Sequence, residues 1–450
     1  MYNQLTGEDQ ISQLPDDILA SILSWLTLKE AILTSLLSTR WRYLWTHITR
    51  LDFHLPRKEE TNGKRDRGHL SQNEKLRHVN RVNRVLDLHR SHFLEKFRIA
   101  LPLDREGYHC ELDKWIKFVL SRKVRALEID LTEPSRRRRR RRRRNHRIQQ
   151  YTLPLNWTSN SSSFSASFFN ALKSLSLKFV GVDDQMAKSF LSSCPMLEHL
   201  SIQGSSQLKN LQITGPSLKL KKLEIRDIVK ISIQLCNVEH LESFTSRDTR
   251  CEEWVLENVP SLVHIDVDPL IMCSGIPDFI TRMSERLLNQ LVELNLKIPQ
   301  LDVETVFERY YSKFPKMEKL RVLKLDVLST SESILLSFAA LFNASPYLRK
   351  FVMQIEWAPY ESMTDANRLT AFQYACCPAN EHLKTVKFGG YSHRLSEFEF
   401  AVHLLTYAVA LEEFIVDTRI SEDSNKRHPK HRLRRQFERV TPQGVKLVIL

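Results

Sequence analysis

The sequence predicts an α/β chain in which a small N-terminal unit of three helices precedes an elongated array of short parallel strands, joined by helical or irregular crossovers. Three observations carry that expectation. Apolar residues recur at helical spacing between Ile11 and Trp45, an LxxLxL pattern returns along the chain from Leu94 onward, and 11 glycines in 450 residues are too few for an architecture of tight primed-turn hairpins.

The helical unit reads ISQLPDDILASILSWLTLKEAILTSLLSTRWRYLW. Pro15 stands where a helix begins, Asp16 and Asp17 suit the positive end of its dipole, and Ile18, Leu19, Ile22, Leu23 and Leu26 form one stripe. Thr27 and Glu30 have the spacing of a capping box and open a second helix carrying Ile32, Leu33, Leu36 and Leu37. Arg40, Trp41, Tyr43, Leu44 and Trp45 close the unit, which spans residues 8–53. Residues 54–90, dense in charge from Arg57 to Arg67, read as a linker.

From Leu94 the recurrences can be counted: Leu94/Phe97/Ile99, Val124/Leu127/Ile129, Leu172/Leu175/Leu177, Leu197/Leu200/Ile202, Leu220/Leu223/Ile225, Leu262/Ile265/Val267, Leu291/Leu294/Leu296, Leu320/Leu323/Leu325, Leu348/Phe351/Met353, Leu383/Val386/Phe388 and Leu411/Phe414/Val416. From Leu262 the spacings are 29, 29, 28, 35 and 28 residues, within or close to the leucine-rich-repeat range. Each LxL is expected to be a short strand with two apolar side chains inward and the residues between them facing solvent. No unit buries its own face, so stacking makes the array stable. Val238/Leu241 reads as a degenerate unit, Leu208/Leu211/Ile213 as an extra strand, and Met186–Leu191 and Val303–Tyr310 as crossover helices. Repeats fill residues 91–371, interrupted at 132–167 by an Arg/Ser-rich insertion expected to be disordered.

Composition excludes several classes. The formal charge of +14 is local, because Arg136 to Arg144 are nine consecutive arginines without which the balance is +5. Seven scattered cysteines show no CxxC pair, so no zinc or other metal site is expected, and no cofactor. The start of the chain lacks a basic-then-apolar leader and no apolar run is long enough to span a bilayer, which leads us to expect a chain of the cytoplasm and/or nucleus with no membrane partner. No nucleophile, phosphate-loop or metal arrangement argues for an enzyme.

Leu14-Pro15, the Ile18-Leu19 and Ile22-Leu23 pairs, Lys29-Glu30-Ala31, Arg40-Trp41 and Leu44-Trp45 together resemble the F-box. Two positions depart from the plant pattern: Thr27 stands where a proline is usual, and Thr39 where a lysine usually precedes Arg-Trp. Cys377-Pro378, the run Glu381 to Tyr391, Glu397 to Ala401 and Leu411 to Phe414 are similar to the FBD domain that ends many plant F-box/LRR proteins. That region takes residues 372–450, with Val445 to Leu450 as a closing strand. The resemblance implies a non-catalytic substrate-recognition subunit of an SCF-type ubiquitin ligase. It also implies that Leu14, Pro15, Ile18, Leu19, Ile22, Leu23, Leu26, Trp41, Leu44 and Trp45 hold a Skp1-like adaptor, and through it a cullin.

The solvent face of the strands then becomes the expected site for an unknown protein substrate. Its candidates are Lys222, Glu224, His264, Asp266, Asp268, Glu293, Asn295 and Lys324, with His264, Asp266, Asp268 and Glu293 read as an acidic patch. The alternative is a nuclear regulatory or nucleic-acid-associated protein that uses Arg136 to Arg144 to neutralise phosphates. Alternating signs along the ladder and the absence of stacking rings disfavour nucleic acid on the folded surface.

Overall fold

The computed structural model describes residues 11, 13–54, 71–103, 107–132, 150–153, 170–249, 251–268, 283–298, 315–329, 335, 338–357, 379–418 and 430–450. The chain divides into two compact units, one of residues 1–211 with 217–220 and one of residues 212–216 with 221–450.

The first unit begins with α1 (Asp16–Leu23) and α2 (Leu28–Leu33), followed by 3₁₀ turns at Thr34–Leu36 and Trp41–His47. The expected third α-helix is therefore a pair of tighter turns. Next come β1 (Arg50–His54), α3 (Gln72–Leu88), β2 (Phe93–Ala100), α4 (His109–Leu120), β3 (Lys123–Asp130), β4 (Ser174–Lys178), α5 (Asp184–Ser193) and β5 (His199–Gln203). The strands pair in chain order, all parallel, and their register aligns two buried rows. One row is Leu51, Phe97, Leu127, Leu175 and Leu200; the other is Phe53, Ile99, Ile129, Leu177 and Ile202. Each of these side chains contributes about 1.5–3 kcal/mol by leaving water, which is why the LxL recurrence specifies the stack.

β6 (Asn210–Thr214) spans the sequence boundary of the two units, with Leu211 and Ile213 buried as the extra-strand reading expects. The second unit holds β7 (Lys222–Arg226), β8 (Ile231–Cys236), β9 (Ser243–Arg247), β10 (Cys251–Glu257), β11 (His264–Val267), α6 (Glu285–Gln290) and β12 (Glu293–Ile298). It continues with β13 (Val322–Ser329), α7 (Ala339–Ala344), β14 (Lys350–Trp357), β15 (Thr385–Gly389), α8 (Leu395–Tyr407), β16 (Glu413–Asp417), α9 (Lys430–Glu438) and β17 (Lys446–Ile449). The main sheet runs β7-β9-β11 and then β12 to β17 in order, while β8 pairs with β10. Again two rows line up. Leu223, Phe244, Ile265, Leu294, Leu323, Phe351, Val386 and Phe414 form the first, and Ile225, Ser246, Val267, Leu296, Leu325, Met353, Phe388 and Val416 the second.

Strands end on a recurring device. Phe179, Asp227, Asn237, Asp248 and Asn258 each follow a strand with φ between 50° and 59°. Asp and Asn tolerate this left-handed conformation better than other side chains, so their recurrence there is chemical rather than accidental. Gly390 takes the same role after β15 at φ 76°, where a Cβ would lie 1.9 Å from the Ile355 carbonyl oxygen.

The folded chain fills in the expected domain ranges. The linker at 54–90 contains α3, a 17-residue helix opened by a Ser71–Glu74 capping box, with Val79, Val82, Val85 and Leu86 buried; residues 55–70 lie outside the described residues. The helical unit's assigned range of 8–53 takes in most of β1, which is already the first rung of the sheet. Within the 132–167 insertion, Gln150, Tyr151 and Leu153 are buried, and Gln150 is held by Gly204 and Ser206; the arginine run itself lies outside the described residues. At the C-terminus, β15, β16 and β17 prolong the register of β14, so no change of architecture marks residue 372. The closing strand β17 is present, yet one of its edges has no strand partner among the described residues. Core closure there comes instead from α9, whose Leu433 and Phe437 are buried, with Phe437 5.5 Å from Tyr391 and 5.8 Å from Phe414 between ring centres.

Candidate functional site

The ten residues expected to hold an adaptor separate into two groups. Leu19, Leu23, Trp41, Leu44 and Trp45 are buried, at 0%, 1%, 7%, 4% and 8% exposure, so they form the interior of the helical unit. Ile18, Ile22 and Leu26 are exposed, as is Pro15, and Leu14 is half-buried. The stripe read as one face is thus a boundary: Leu19 and Leu23 point in, while Ile18 and Ile22, one position earlier, point out.

Residues outside the expected adaptor set complete the outward surface. Trp25 (75% exposed), Leu33, Leu36 (81%), Leu37 and Tyr43 are all open to solvent. Their hydrophobicity was visible in the sequence. Their direction depends on the two 3₁₀ turns, which carry no distinct sequence signal. Such a concentration of exposed large apolar side chains on so short a segment marks an interaction site.

Several polar contacts hold this surface in place. The Thr27 hydroxyl accepts from the Glu30 amide at 3.3 Å, while Glu30 accepts from the Thr27 amide at 2.9 Å, completing the capping box and lowering the Glu30 carboxyl below its ordinary value. Arg40 reaches back over α1, donating to Asp16 at 2.8 Å and to the Leu14 carbonyl. Ser24 accepts from the Thr49 amide at 2.9 Å and so joins the end of α1 to β1. Arg50 stacks 4.0 Å from the Trp25 ring centre and donates twice to Glu95, at 2.9 and 2.7 Å, which lowers the Glu95 carboxyl. His89 lies 2.9 Å from the Ile48 carbonyl oxygen, and Arg90 donates to Thr46. The helical unit is therefore continuous with the first rungs of the repeat sheet.

The second unit's ladder behaves differently. Arg247 donates to Asp266 and, at 2.8 Å, to Asp326, and lies 3.6 Å from Asp268. Lys297 meets Asp248 at 2.7 Å and Asp268 at 3.8 Å, and Lys324 meets Glu293 at 2.6 Å. Asn295 also donates to Glu293, and Lys222 pairs with Glu224 at 2.8 Å. Burial raises the Asp268 carboxyl, the backbone amide of Asp248 and then Lys297 and Arg247 offsetting it in part. Burial also works hardest on Glu293, but Lys324, Asn295 and His264 together bring it below its usual value.

The acidic patch expected on His264, Asp266, Asp268 and Glu293 carries its own cations. Asp268 is 3% exposed and the other carboxylates already hold cations, so the cluster is an internal ion network. Arg247 is the residue the sequence reading missed. It sits on β9, whose row position Ser246 breaks the LxL pattern, although Leu241 and Phe244 three residues apart were a usable signal. Among the described residues, no group of three or more His, Cys, Asp or Glu is placed to hold a metal ion, and no helix is long and apolar enough to cross a membrane.

Comparison with known proteins agrees with this geometry. Residues 11–52 match the F-box domain, and residues 85–441 match the family described as At1g61320/AtMIF1, LRR domain. The chain is similar to F-box/LRR-repeat protein At3g03360 of Arabidopsis thaliana, 28% identical over 363 residues, which are 77% of this chain and 70% of that protein. It is 34% identical over 217 residues to putative FBD-associated F-box protein At5g56440 of the same plant, covering 47% of each chain. With F-box/FBD/LRR-repeat protein At5g56420, also of Arabidopsis thaliana, it shares 32% identity over 225 residues, 48% of this chain and 49% of the relative. The aligned stretches thus span about half the length of the latter two relatives. Neither matching domain is that of an enzyme family. An F-box that presents an apolar surface, followed by a parallel leucine-rich-repeat sheet, identifies the chain as a member of the F-box/LRR-repeat family.

Proposed function

We propose that this chain is the substrate-recognition subunit of a Skp1–cullin–F-box ubiquitin ligase. The observation that supports it is the exposed apolar surface of the F-box, built from Ile18, Ile22, Trp25, Leu26, Leu33, Leu36, Leu37 and Tyr43. A surface of that kind suits a partner that brings its own apolar face, and a Skp1-like adaptor is the partner the domain implies. The role is positional. Holding a target beside an activated ubiquitin converts a bimolecular encounter into a local one, and no catalytic group is needed on this chain. A protein target would dock on the repeat units.

The test is adaptor capture by the full chain and by an Ile18→Ser/Ile22→Ser/Leu36→Ser variant. All three side chains face solvent, so thermal unfolding should be nearly unchanged while recovery of a Skp1-type adaptor falls by at least about a hundredfold, as expected when hot-spot residues are truncated. Equal recovery by both proteins would reject the proposal.

A further inference from the structure

We infer that the margin leading into β13, β14 and β15 anchors an acidic stretch of polypeptide in a captured target, an inference that rests on the receptor role proposed above. The parallel register places three cations on successive rungs. The Arg349 and Lys350 amides both donate to the Arg321 carbonyl, at 2.9 Å, and the Lys384 and Thr385 amides both donate to the Arg349 carbonyl, at 2.9 and 3.1 Å. Arg321, Arg349 and Lys384 therefore occupy one row, with backbones about 4.8 Å apart, and Lys350 begins the row above. Lys319 lies two residues before Arg321 and is exposed, as are Arg349, Lys350 and Lys384.

What distinguishes this row is its incomplete counter-charge among the described residues. On the ladder faces, Arg98 meets Glu128, Arg247 meets Asp266 and Lys324 meets Glu293. Here, among the described residues, Lys384 alone has a close carboxylate, Glu412 at 2.7 Å. Among the described residues Arg321 donates its side chain to the carbonyls of Glu318 and Tyr347 and lies 5.3 Å from the Tyr347 ring centre. Arg349 and Lys350 have no ion-pair partner among the described residues. Like charges on adjacent strands destabilise a sheet, so folding gives no reason for this arrangement.

The occupant follows from the shape and mixture of the patch. Glu412 stands beside Lys384, so an unbroken phosphate backbone would meet a like charge there, whereas a peptide can space its carboxylates between neutral residues. The rings of Tyr347 and His382, 5.0 Å apart between centres and inclined by 35°, give such a peptide a flat wall for an apolar side chain. Reading only the positions within each LxL misses this row, because its residues stand just before the strands.

The test uses the full chain with Arg136 to Arg144 replaced by serine, so that the arginine run does not compete for anions. Affinity is read by fluorescence anisotropy with a labelled peptide in which Glu and Asp alternate with Ala and Leu, and a Lys-rich peptide of equal length serves as control. R349E/K350E should weaken the acidic peptide by about tenfold or more, R349Q/K350Q by less, and both should retain unfolding behaviour and adaptor recovery. Unchanged affinity in R349E/K350E, or no binding by the parent, would overturn the inference. So would tighter binding of a thymidine 20-mer with the same loss in the variant, which would make the row a phosphate surface. Adaptor recovery reads the ligase role and peptide affinity reads the row, so failure of one is distinguishable from failure of the other.

Discussion

The F-box and the ladder of the second unit place their charges and their apolar groups in opposite ways. In the F-box the core is small, Leu19, Leu23, Ala31, Trp41, Leu44 and Trp45 among its members, and large apolar side chains remain outside. In the ladder the apolar rows are wholly enclosed, and the outward positions carry ions that pair with one another. The difference teaches where binding energy is available. An exposed leucine gains by being covered, whereas a carboxylate already holding an arginine must give up that partner before it can take another.

The strongest way to break this contrast is to remove Arg247. If the ladder ions are structural, Arg247→Met takes a cation from Asp266, Asp268 and Asp326 and should cost about 2–3 kcal/mol of stability, less than a fully buried pair because Asp326 is half exposed. Chemical denaturation of the full chain measures it. A loss below 1 kcal/mol would return these carboxylates to the list of free recognition groups. Adaptor capture should be unaffected at temperatures where the variant remains folded.

His89 tests the F-box side, where the helical unit meets the repeats. Its Nδ1 has no hydrogen-bond partner among the described residues, and burial lowers its pKa to about 4. The unfolded chain takes up this proton near pH 6.5 and the folded chain only near 4, so the stabilisation is fully present above 6.5 and is lost as pH falls through that interval. The span corresponds to about 3 kcal/mol. Urea unfolding at pH 7 and at pH 4.5 should show a loss that His89→Gln reduces; identical pH slopes in the two proteins would remove His89 from the account.

How much of this was legible depends on what each residue's role requires. The recurrences from Leu94 to Val416 located their strands because burial on one face of a parallel stack demands two apolar residues at period two, and that demand is local in sequence. The rung β1 was hidden because Leu51 and Phe53 fall in a range already assigned to helices. β9 was obscured because Ser246 occupies an apolar row. Thr27 could be read as a cap from Glu30 alone, and it is one. Sorting Ile18 from Leu19 was a different problem. It depends on where Trp41 and Leu44 return to α1, a tertiary fact with no local pattern. Arg40 on Asp16, 24 residues away, and Arg247 on Asp326, 79 away, are hidden for the same reason.

The smallest expected effect concerns Thr27, where this chain departs from the usual proline. Thr27→Ala removes the hydroxyl that accepts from the Glu30 amide and should cost about 1 kcal/mol, the ordinary loss for a helix cap. Thr27→Pro loses the same hydroxyl and also the amide that donates to Glu30. Against that, Thr27 already has φ −62°, within the range a proline ring fixes, so the substitution restricts the unfolded chain by about 0.4–1 kcal/mol. The proline variant should therefore be more stable than the alanine variant by about 0.5 kcal/mol, read as a shift in the thermal midpoint of the F-box, and both should capture adaptor as the native chain does. If alanine proved the more stable of the two, the amide contact to Glu30 would outweigh the entropy of the ring, and threonine here would be a requirement of this F-box.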